Sequence, residues 1–333
     1  MKARVNPKLL QATLLVAGLL ALLVAPFIGM IGIPWEAIWD ATAYPSEHRV
    51  FWVLRVPRVL TAFLAGGALA LSGMSFQALF RNALATPYTL GVASGASLGV
   101  ALCLRLGWQA GFLGVSLQSL AAFLGAGAAI GLVYGLTRLR GGCSTATMLL
   151  AGVAVSMTFS SLILFLQYIS DFANSFRIVR WLMGGVVTTG YQSVIPVALF
   201  AAVGGVVVLA FLRELDLLTV GEEFAASRGV AVNRTKLVIF VAVSLMVGGV
   251  VAACGPIGFV GMMCPHLCRL LSGGTHRSLA PSTFLLGGVF LLFCDTAART
   301  VVSPAEIPVG VITALLGGPF FLWLLFSRGA PEL

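Results

Sequence analysis

The feature that most constrains this chain is a series of unbroken apolar runs, most of them near twenty residues long. A helix of about 20 apolar residues spans the ~30 Å hydrocarbon core of a bilayer, whereas a transmembrane strand shows only about ten residues of alternating polarity. Charged residues make up 9% of the chain, against roughly 25% in soluble domains. The chain is therefore predicted to be an all-α polytopic membrane protein.

The runs are separated by Gly, Pro and charged residues, and they predict ten transmembrane helices. The first run is too long for the apolar core of a signal peptide and no A-x-A site follows it, so it is interpreted as a retained helix. The eighth is the weakest, because Pro265, His266 and Arg269 interrupt it. A shorter amphipathic segment at about 171–183 is expected at the membrane surface. The predicted helices are 9–31, 59–79, 88–106, 111–136, 146–168, 191–212, 235–254, 256–272, 280–298 and 307–327.

The distribution of lysine and arginine predicts the orientation. If the N-terminus lies in the cytoplasm, thirteen of the 20 basic residues fall on the cytoplasmic side and seven fall outside. The positive-inside rule therefore favours cytoplasmic N- and C-termini. Residues 1–333 are expected to form a single transmembrane domain, with the charged segment 213–236 as its longest cytoplasmic loop.

The stretch "LRVPRVL" (54–60) places two arginines at the outer start of the second predicted helix. Pro57 suits a first helical turn, but Arg55 and Arg58 oppose the helix macrodipole there instead of complementing it. One explanation is that both side chains reach lipid phosphates. The other is that they form a docking site for an acidic partner outside the membrane.

If the chain moves a solute across the membrane, the source of energy for that transport is not evident within it. There is no G-x-x-x-x-G-K-[ST] phosphate loop, and none of the three lysines lies in a glycine loop, so no bound ATP or other cofactor is predicted. Asp295, Arg299 and Glu306 cluster near the outer end of the last two helices, and the central turns lack the charges that a proton relay needs. Transport would then require a partner protein.

Other classes of function are disfavoured on the same grounds. Three dispersed histidines are too few for a membrane-embedded enzyme, and the net charge of +9 is spread along the chain, so nucleic acid is not indicated as a partner. An ion-coupled secondary carrier stays as an alternative, although no buried ion site is found to support it.

One cytoplasmic segment is a candidate contact for that partner. "TVGEEFAASRG" (219–229) reads as a short helix, with Glu222 and Glu223 in its first turn and Arg228 and Gly229 at its end. A solvated surface helix and a coupling helix are both compatible with this pattern.

Five blocks, in order along nearly the whole chain, resemble the FecCD family of membrane permeases. They are "RVPRVLTAFLAGGALALSGMSFQALFRNALATPYTLGVASGASLG", "MLLAGVAVS", "GEEFAASRGV", "GPIGFVGMMCPHLCRLLSGGTHR" and "PAEIPVGVITALLGGPFFLWLL". These permeases belong to ATP-binding-cassette (ABC) importers for iron-siderophores, haem and vitamin B12, in the bacterial inner membrane.

The resemblance implies a vitamin B12 permease-like (type II ABC importer) fold of ten helices, used as a homodimer or paired with a sister permease. It also implies two cytoplasmic ATPase subunits, which bind ATP and Mg²⁺, and a periplasmic binding protein. The cargo would be an iron chelate, siderophore or haem, with vitamin B12 (cobalamin) as the alternative.

Individual positions acquire expected roles from the resemblance. The arginines that pair with glutamates of the binding protein would be Arg55, Arg58 and Arg299. Contact with the ATPase is assigned to Gly221, Glu222, Glu223, Ala225, Arg228 and Gly229. The cytoplasmic gate would comprise Ser144, Thr145 and Ala146. The fifth and tenth helices would line the translocation path, with Met148, Ser156, Ser160 and Gln167 as candidate lining residues chosen by helical spacing.

The stretch "CPHLC" (264–268) has the residue types of a soft-metal site. Family members have ordinary apolar residues in place of Cys264 and Cys268, so these cysteines are expected to be packing residues and no metal site is predicted. His266 and His276 are expected near the inner face, where a structural role at a helix end is favoured over contact with a departing haem iron.

Overall fold

The computed structural model describes residues 5–108, 111–112, 115–139, 144–187 and 190–327. Within these ranges the protein is a bundle of α-helices, with one antiparallel ribbon in which β1 (Gly111–Phe112) pairs with β2 (Val115–Ser116). The first seven helices are α1 (Pro7–Val24), α2 (Pro45–Arg49), α3 (Val56–Phe80), α4 (Val92–Arg105), α5 (Leu117–Leu139), α6 (Thr145–Tyr168) and α7 (Phe172–Leu182). The others are α8 (Val194–Ala210), α9 (Leu212–Val220), α10 (Glu222–Ser227), α11 (Val232–Cys254), α12 (Val260–Ser272), α13 (His276–Ala298) and α14 (Val309–Ser327).

The prediction of a polytopic helical membrane protein is confirmed. Each of the ten predicted runs contains a helix, and seven helical segments in the described ranges are long and apolar enough to cross a membrane. α12 is the shortest of the ten, since its 13 residues reach only about 20 Å. The amphipathic segment expected at 171–183 is α7.

Pro57 lies in the first turn of α3, as its position in the sequence predicted. The chain before it is also helical, however: α2 continues into a wide π-type turn over Val50–Arg55 that joins α3 without a break. Proline has no N–H to donate to this ladder, and a widened turn is one way to accommodate that loss.

α3 is the central helix of the bundle, and it packs against α8, α11, α12 and α13. Its small residues allow these contacts. A Cβ added at Gly73 would overlap the backbone of Gly261 in α12, and one added at Gly66 would overlap the carbonyl oxygen of Gly287 in α13. Close approach through small residues is how helices associate where lipid removes the hydrophobic driving force.

A second close contact between helices joins α4 and α5, where α4 carries glycines at four-residue spacing. Gly95 of α4 lies against Gly125 of α5, with no room for a Cβ on either residue. The described residues provide no comparable contact for the α5 glycines at positions 127, 131 and 135, where a Cβ would meet nothing within 4 Å. These three glycines lie on the other face of α5.

The residues assigned to the two sides of the membrane gather at opposite ends of the bundle. We call the end that holds Arg58, Asp295 and Glu306 the outer end. The inner end holds the ion pair between Lys236 and Glu222 and the one between His276 and Asp216. The names follow the orientation that the positive-inside rule predicts.

Candidate translocation path, outer charge cluster and coupling site

The outer charge cluster consists of Arg58, Asp295, Arg299 and Glu306. Arg58 donates from Nε to both carboxylate oxygens of Asp295 at 3.0 and 3.2 Å, and from Nη1 to both oxygens of Glu306 at 3.1 and 3.0 Å. Arg299 lies one helical turn beyond Asp295, with Nε at 3.6 Å from Oδ2. The side chain of Asp295 has no exposed surface. Its buried carboxylate is therefore shared by two cations, and among the described ion pairs it is the counter-charge of the buried Arg299.

Arg55 turns inward beneath the loop that follows α1. Its guanidinium donates to the carbonyl oxygens of Pro26 at 3.0 Å, Phe27 at 3.2 Å and Ile31 at 2.5 Å. Arg299 donates in the same region to the carbonyl oxygen of Ala25 at 3.1 Å. Ala25 is the C-cap of α1, and the three carbonyls that Arg55 binds belong to the turn and loop that follow it. The two arginines therefore satisfy carbonyl groups at the end of α1 and just beyond it from inside the protein.

The three arginines expected to dock a binding protein thus lie together at the outer end, but two of them are not presented to solvent. Arg55 is 8% exposed and Arg299 is 4% exposed, because each side chain lies against backbone carbonyls and, for Arg299, a carboxylate. Arg58 is partly buried and lines an open cavity. The role of the three in docking stays a prediction.

That outer cavity has a volume of about 540 Å³. Arg177 and Arg180, from the amphipathic helix α7, line it together with Arg58, Glu306 and Trp181. Both α7 arginines are exposed, and the described residues include no ion-pair partner for either. Neither arginine was predicted as a site residue, although their spacing of three places them on one face of the predicted amphipathic helix.

Three of the four candidate path residues line one cavity of about 470 Å³. Ser156, Ser160 and Gln167 of α6 face it, and Ser94 and Ser97 of α4 also contribute polar groups to its lining. Among the described residues, no charged side chain lines this cavity. Its surface can therefore form weak hydrogen bonds with a large cargo but no strong ionic contact.

Met148 does not share this position. It is 1% exposed and packs in the hydrophobic core, so it does not line this cavity. Four residues further along α6, on the same face, a Cβ at Gly152 would press against Leu90. Helical spacing alone did not distinguish this packed face from the cavity-lining face.

A second cavity of about 560 Å³ lies along α14 and is lined by Gly310, Val311 and Ala314. Tyr88, Leu182 and Pro256 line both this cavity and the one along α6. The fifth and tenth predicted helices thus flank neighbouring cavities, as the resemblance implies for the helices of a translocation path.

The predicted short helix in the segment 213–236 is confirmed as α10. Gly221 is its N-cap, and Gly229 follows its end with a left-handed φ of 84°, a conformation that glycine adopts without strain. Ala225 is buried, whereas Glu223, Arg228 and Gly229 are exposed. The guanidinium of Arg228 lies 5.2 Å from the ring centre of Phe224. The exposed residues are accessible to a partner at the inner end.

Glu222 joins α10 to two other elements. Its Oε1 accepts a hydrogen bond from the hydroxyl of Thr145 at 2.5 Å and lies 2.5 Å from Nζ of Lys236, which also donates to the hydroxyl of Thr145 at 3.1 Å. Burial would raise the pKa of the Glu222 carboxyl, but the hydrogen bonds from Lys236 and Thr145 and the nearby positive charges of Lys236 and Arg81 together lower it. The carboxylate is therefore ionised at neutral pH.

The predicted gate residues are the first residues of α6. Ser144 is the N-cap, and its hydroxyl accepts from the backbone N–H of Thr147, as serine commonly does at this position. Thr145 contacts the coupling segment through Glu222, and Ala146 is exposed beside it. The candidate gate and the candidate ATPase contact are thus in direct contact in one chain.

The histidines and cysteines at the inner end take part in helix capping and packing. The backbone N–H and Nδ1 of His276 contact Oδ1 of Asp216 at 2.9 and 2.6 Å, which caps the start of α13. His266 packs beside the rings of Phe320 and Phe321. Cys264 and Cys268 are fully buried in the hydrophobic core, as expected for packing residues.

Comparison with known proteins finds likeness over almost the whole chain. The sequence model of the FecCD transport family matches residues 14–327. The hemin transport system permease protein HmuU of Yersinia pestis is 36% identical over 329 residues, which cover 98% of each chain. The cobalamin import system permease protein BtuC of Halobacterium salinarum is 39% identical over 308 residues, 89% of this chain and 80% of the relative.

A solved structure described as an inward-facing conformation of a metal-chelate type ABC transporter has a similar fold. It superposes with a TM-score of 0.84 at 30% sequence identity and covers 97% of this chain and 100% of the other. The likeness therefore includes both ends of the bundle and the helices along the two central cavities.

Proposed function

This chain is a multi-pass membrane permease of the FecCD transport family, and we propose that it moves an iron chelate across the cytoplasmic membrane by alternating access, with haem as the first candidate. The observation that carries this proposal is the full-length match. The hemin permease of Yersinia pestis aligns over 98% of both chains, so the outer end, both cavities and the coupling segment all have counterparts in it.

Cobalamin is the second candidate cargo. The permease of Halobacterium salinarum has the higher identity, 39%, although over a shorter match. Haem and cobalamin are both large metal-bound macrocycles, and a charge-poor cavity of the kind along α6 suits either of them. Ferric siderophores are the third candidate, on the strength of the family alone.

The lining of the α6 cavity favours passage over tight binding. The hydroxyls of Ser94 and Ser97 already donate to backbone carbonyls one turn earlier in α4, so they offer a cargo only acceptor capacity. A translocation path must bind strongly enough for cargo to enter and weakly enough for it to leave. Specificity would then come mainly from the binding protein that delivers the cargo.

The proposal requires partners at both ends. Two ATPase subunits, which bind ATP and Mg²⁺, would contact the exposed face of α10, and a second permease copy or a sister permease would close the path. A periplasmic binding protein would dock at the outer end. Arg58, Arg177 and Arg180 offer guanidinium groups around the outer cavity that suit acidic side chains of such a partner.

The choice of cargo is tested by competition. The chain would be reconstituted in liposomes with its cognate ATPase and binding protein, and uptake of radiolabelled haem would be measured with a tenfold excess of unlabelled cobalamin or ferric siderophore. We expect neither competitor to lower haem uptake by more than about a factor of two. If labelled haem is not taken up, and labelled cobalamin is taken up even with excess haem present, the permease would be assigned to cobalamin instead.

A further inference from the structure

We propose that Lys236 is a positioning residue that ties the coupling segment to the gate. Its ammonium group holds Glu222 of α10 against Thr145, the first residue of α6, so that displacement of α10 moves the start of the path-lining helix. This inference rests on the proposed function, and it adds a residue that neither the sequence motifs nor the comparisons assign.

The three side chains come from distant parts of the chain. Thr145 begins α6, Glu222 begins α10, and Lys236 lies near the start of α11. All three pairs of polar atoms are within hydrogen-bond distance, at 2.5, 2.5 and 3.1 Å. Three groups that each contact the other two constrain one another more than a single ion pair would, because moving any one of them disturbs two contacts.

The burial of Lys236 distinguishes this contact from an ordinary surface ion pair. Its side chain is 1% exposed, whereas that of Glu222 is 38% exposed. A buried ammonium group is stable only with a counter-charge close by, while exposed ion pairs contribute little. The buried ammonium group of Lys236 needs a nearby negative charge, and this need keeps the Glu222 carboxylate beside it. The exposed side of Glu222 still faces the surface that an ATPase would contact.

The connection leads directly to the α6 cavity. Ser156 lies eleven residues beyond Thr145 on α6, which corresponds to about 16 Å along a helix axis. The intervening residues form one uninterrupted helix, and the preceding N-cap Ser144 bonds to its first turn. A shift or rotation imposed at Thr145 would thus reach the cavity-lining serines through a rigid element.

The test compares cargo moved per ATP hydrolysed in reconstituted complexes. Lys236→Met keeps the length and apolar character of the stem but removes the charge, and Glu222→Gln removes the counter-charge with little change of shape. We expect Lys236→Met to keep ATP hydrolysis, and we expect both variants to lower the cargo-to-ATP ratio about tenfold. Arg277→Met, which removes an exposed cation at the inner end, is the matched control and should leave the ratio unchanged.

A charge exchange separates positioning from folding. The double variant Lys236→Glu with Glu222→Lys restores a pair of opposite charges at the same site. It should recover more than half of the decrease in the cargo-to-ATP ratio. Single variants that keep the wild-type ratio, or an exchange that behaves no better than either single variant, would overturn the proposal. Wild-type complexes without any ATP-dependent uptake would instead refute the proposed function.

A distance measurement keeps the proposal testable if a variant lowers stability. Spin labels at Ala146 and Ala226, both exposed, report the separation of α6 and α10, and the described native cysteines are buried. The wild-type chain should give one narrow distance distribution, and Lys236→Met should broaden it. An unchanged narrow distribution in Lys236→Met would contradict the role assigned to Lys236.

Discussion

Asp295→Asn is expected to lower the free energy of unfolding by about 3–5 kcal/mol, the cost of leaving buried charge uncompensated. The side chain has almost the same shape, so packing is retained, but Arg58 and Arg299 lose the carboxylate between them. Arg299 is nearly fully buried, so water cannot replace the lost partner. Unfolding in detergent, followed by tryptophan fluorescence at increasing denaturant, measures the change.

Glu306→Gln is the matched control for this result. Glu306 contacts the same arginine, Arg58, but its side chain is 37% exposed, and exposed ion pairs contribute about 0–1 kcal/mol. If the two variants were destabilised equally, the assignment of Asp295 as the central counter-charge would be wrong.

The outer charge cluster determines which arginines can be used to test docking of the binding protein. Reversing the charge of Arg58 would break its contacts with Asp295 and Glu306, so lost uptake would reflect destabilisation as well as lost docking. Arg177 and Arg180 line the same outer cavity without an ion pair in the described part of the chain. Charge reversal there examines binding-protein docking with the fold left intact.

Ser160→Trp is expected to slow cargo uptake about tenfold or more, equivalent to ~1.4 kcal/mol on the barrier to passage. Ser160 lines the cavity along α6, beside Ser156, and an indole ring there would occupy space that a macrocyclic cargo needs. Assembly with the ATPase should not change, since Ser160 lies fifteen residues along α6 from the coupling contact at Thr145. Uptake by reconstituted complexes with equal ATPase content measures the effect.

The neighbouring residue provides the control for this substitution. Ser161 is also exposed on α6, but it points about 100° away around the helix and is not among the residues that line the cavity. Ser161→Trp should transport at close to the wild-type rate. Equal loss in both variants would show that bulk anywhere on α6 is harmful and would remove the support for a path at Ser160.

The helices of this protein could be predicted from its sequence because long apolar runs have few alternatives in a membrane. The run at 59–79 corresponds to α3 and the amphipathic segment at 171–183 corresponds to α7. The weak eighth run is also the shortest of these helices, α12. Hydropathy, turn residues and helical period decide these features locally, so no knowledge of distant contacts was needed.

The directions of charged side chains could not be predicted in the same way. "LRVPRVL" indicated that Arg55 and Arg58 lie together at one end of the bundle, but an arginine there can face a partner protein, lipid or the interior. Its direction depends on Asp295 and on the carbonyls after α1, which are far away in sequence. The same limit applied to Lys236, whose partners Glu222 and Thr145 come from two other elements.

The most direct test of the central claim is the energy source of uptake. Proteoliposomes containing this chain, its ATPase and its binding protein would be loaded with ATP, and ionophores would collapse the proton and sodium gradients. An ATP-driven permease predicts that cargo still accumulates, and that uptake stops when the ATPase is omitted or its ATP site is inactivated. Uptake that persists without the ATPase and disappears with the ion gradients would contradict the account and identify a secondary carrier.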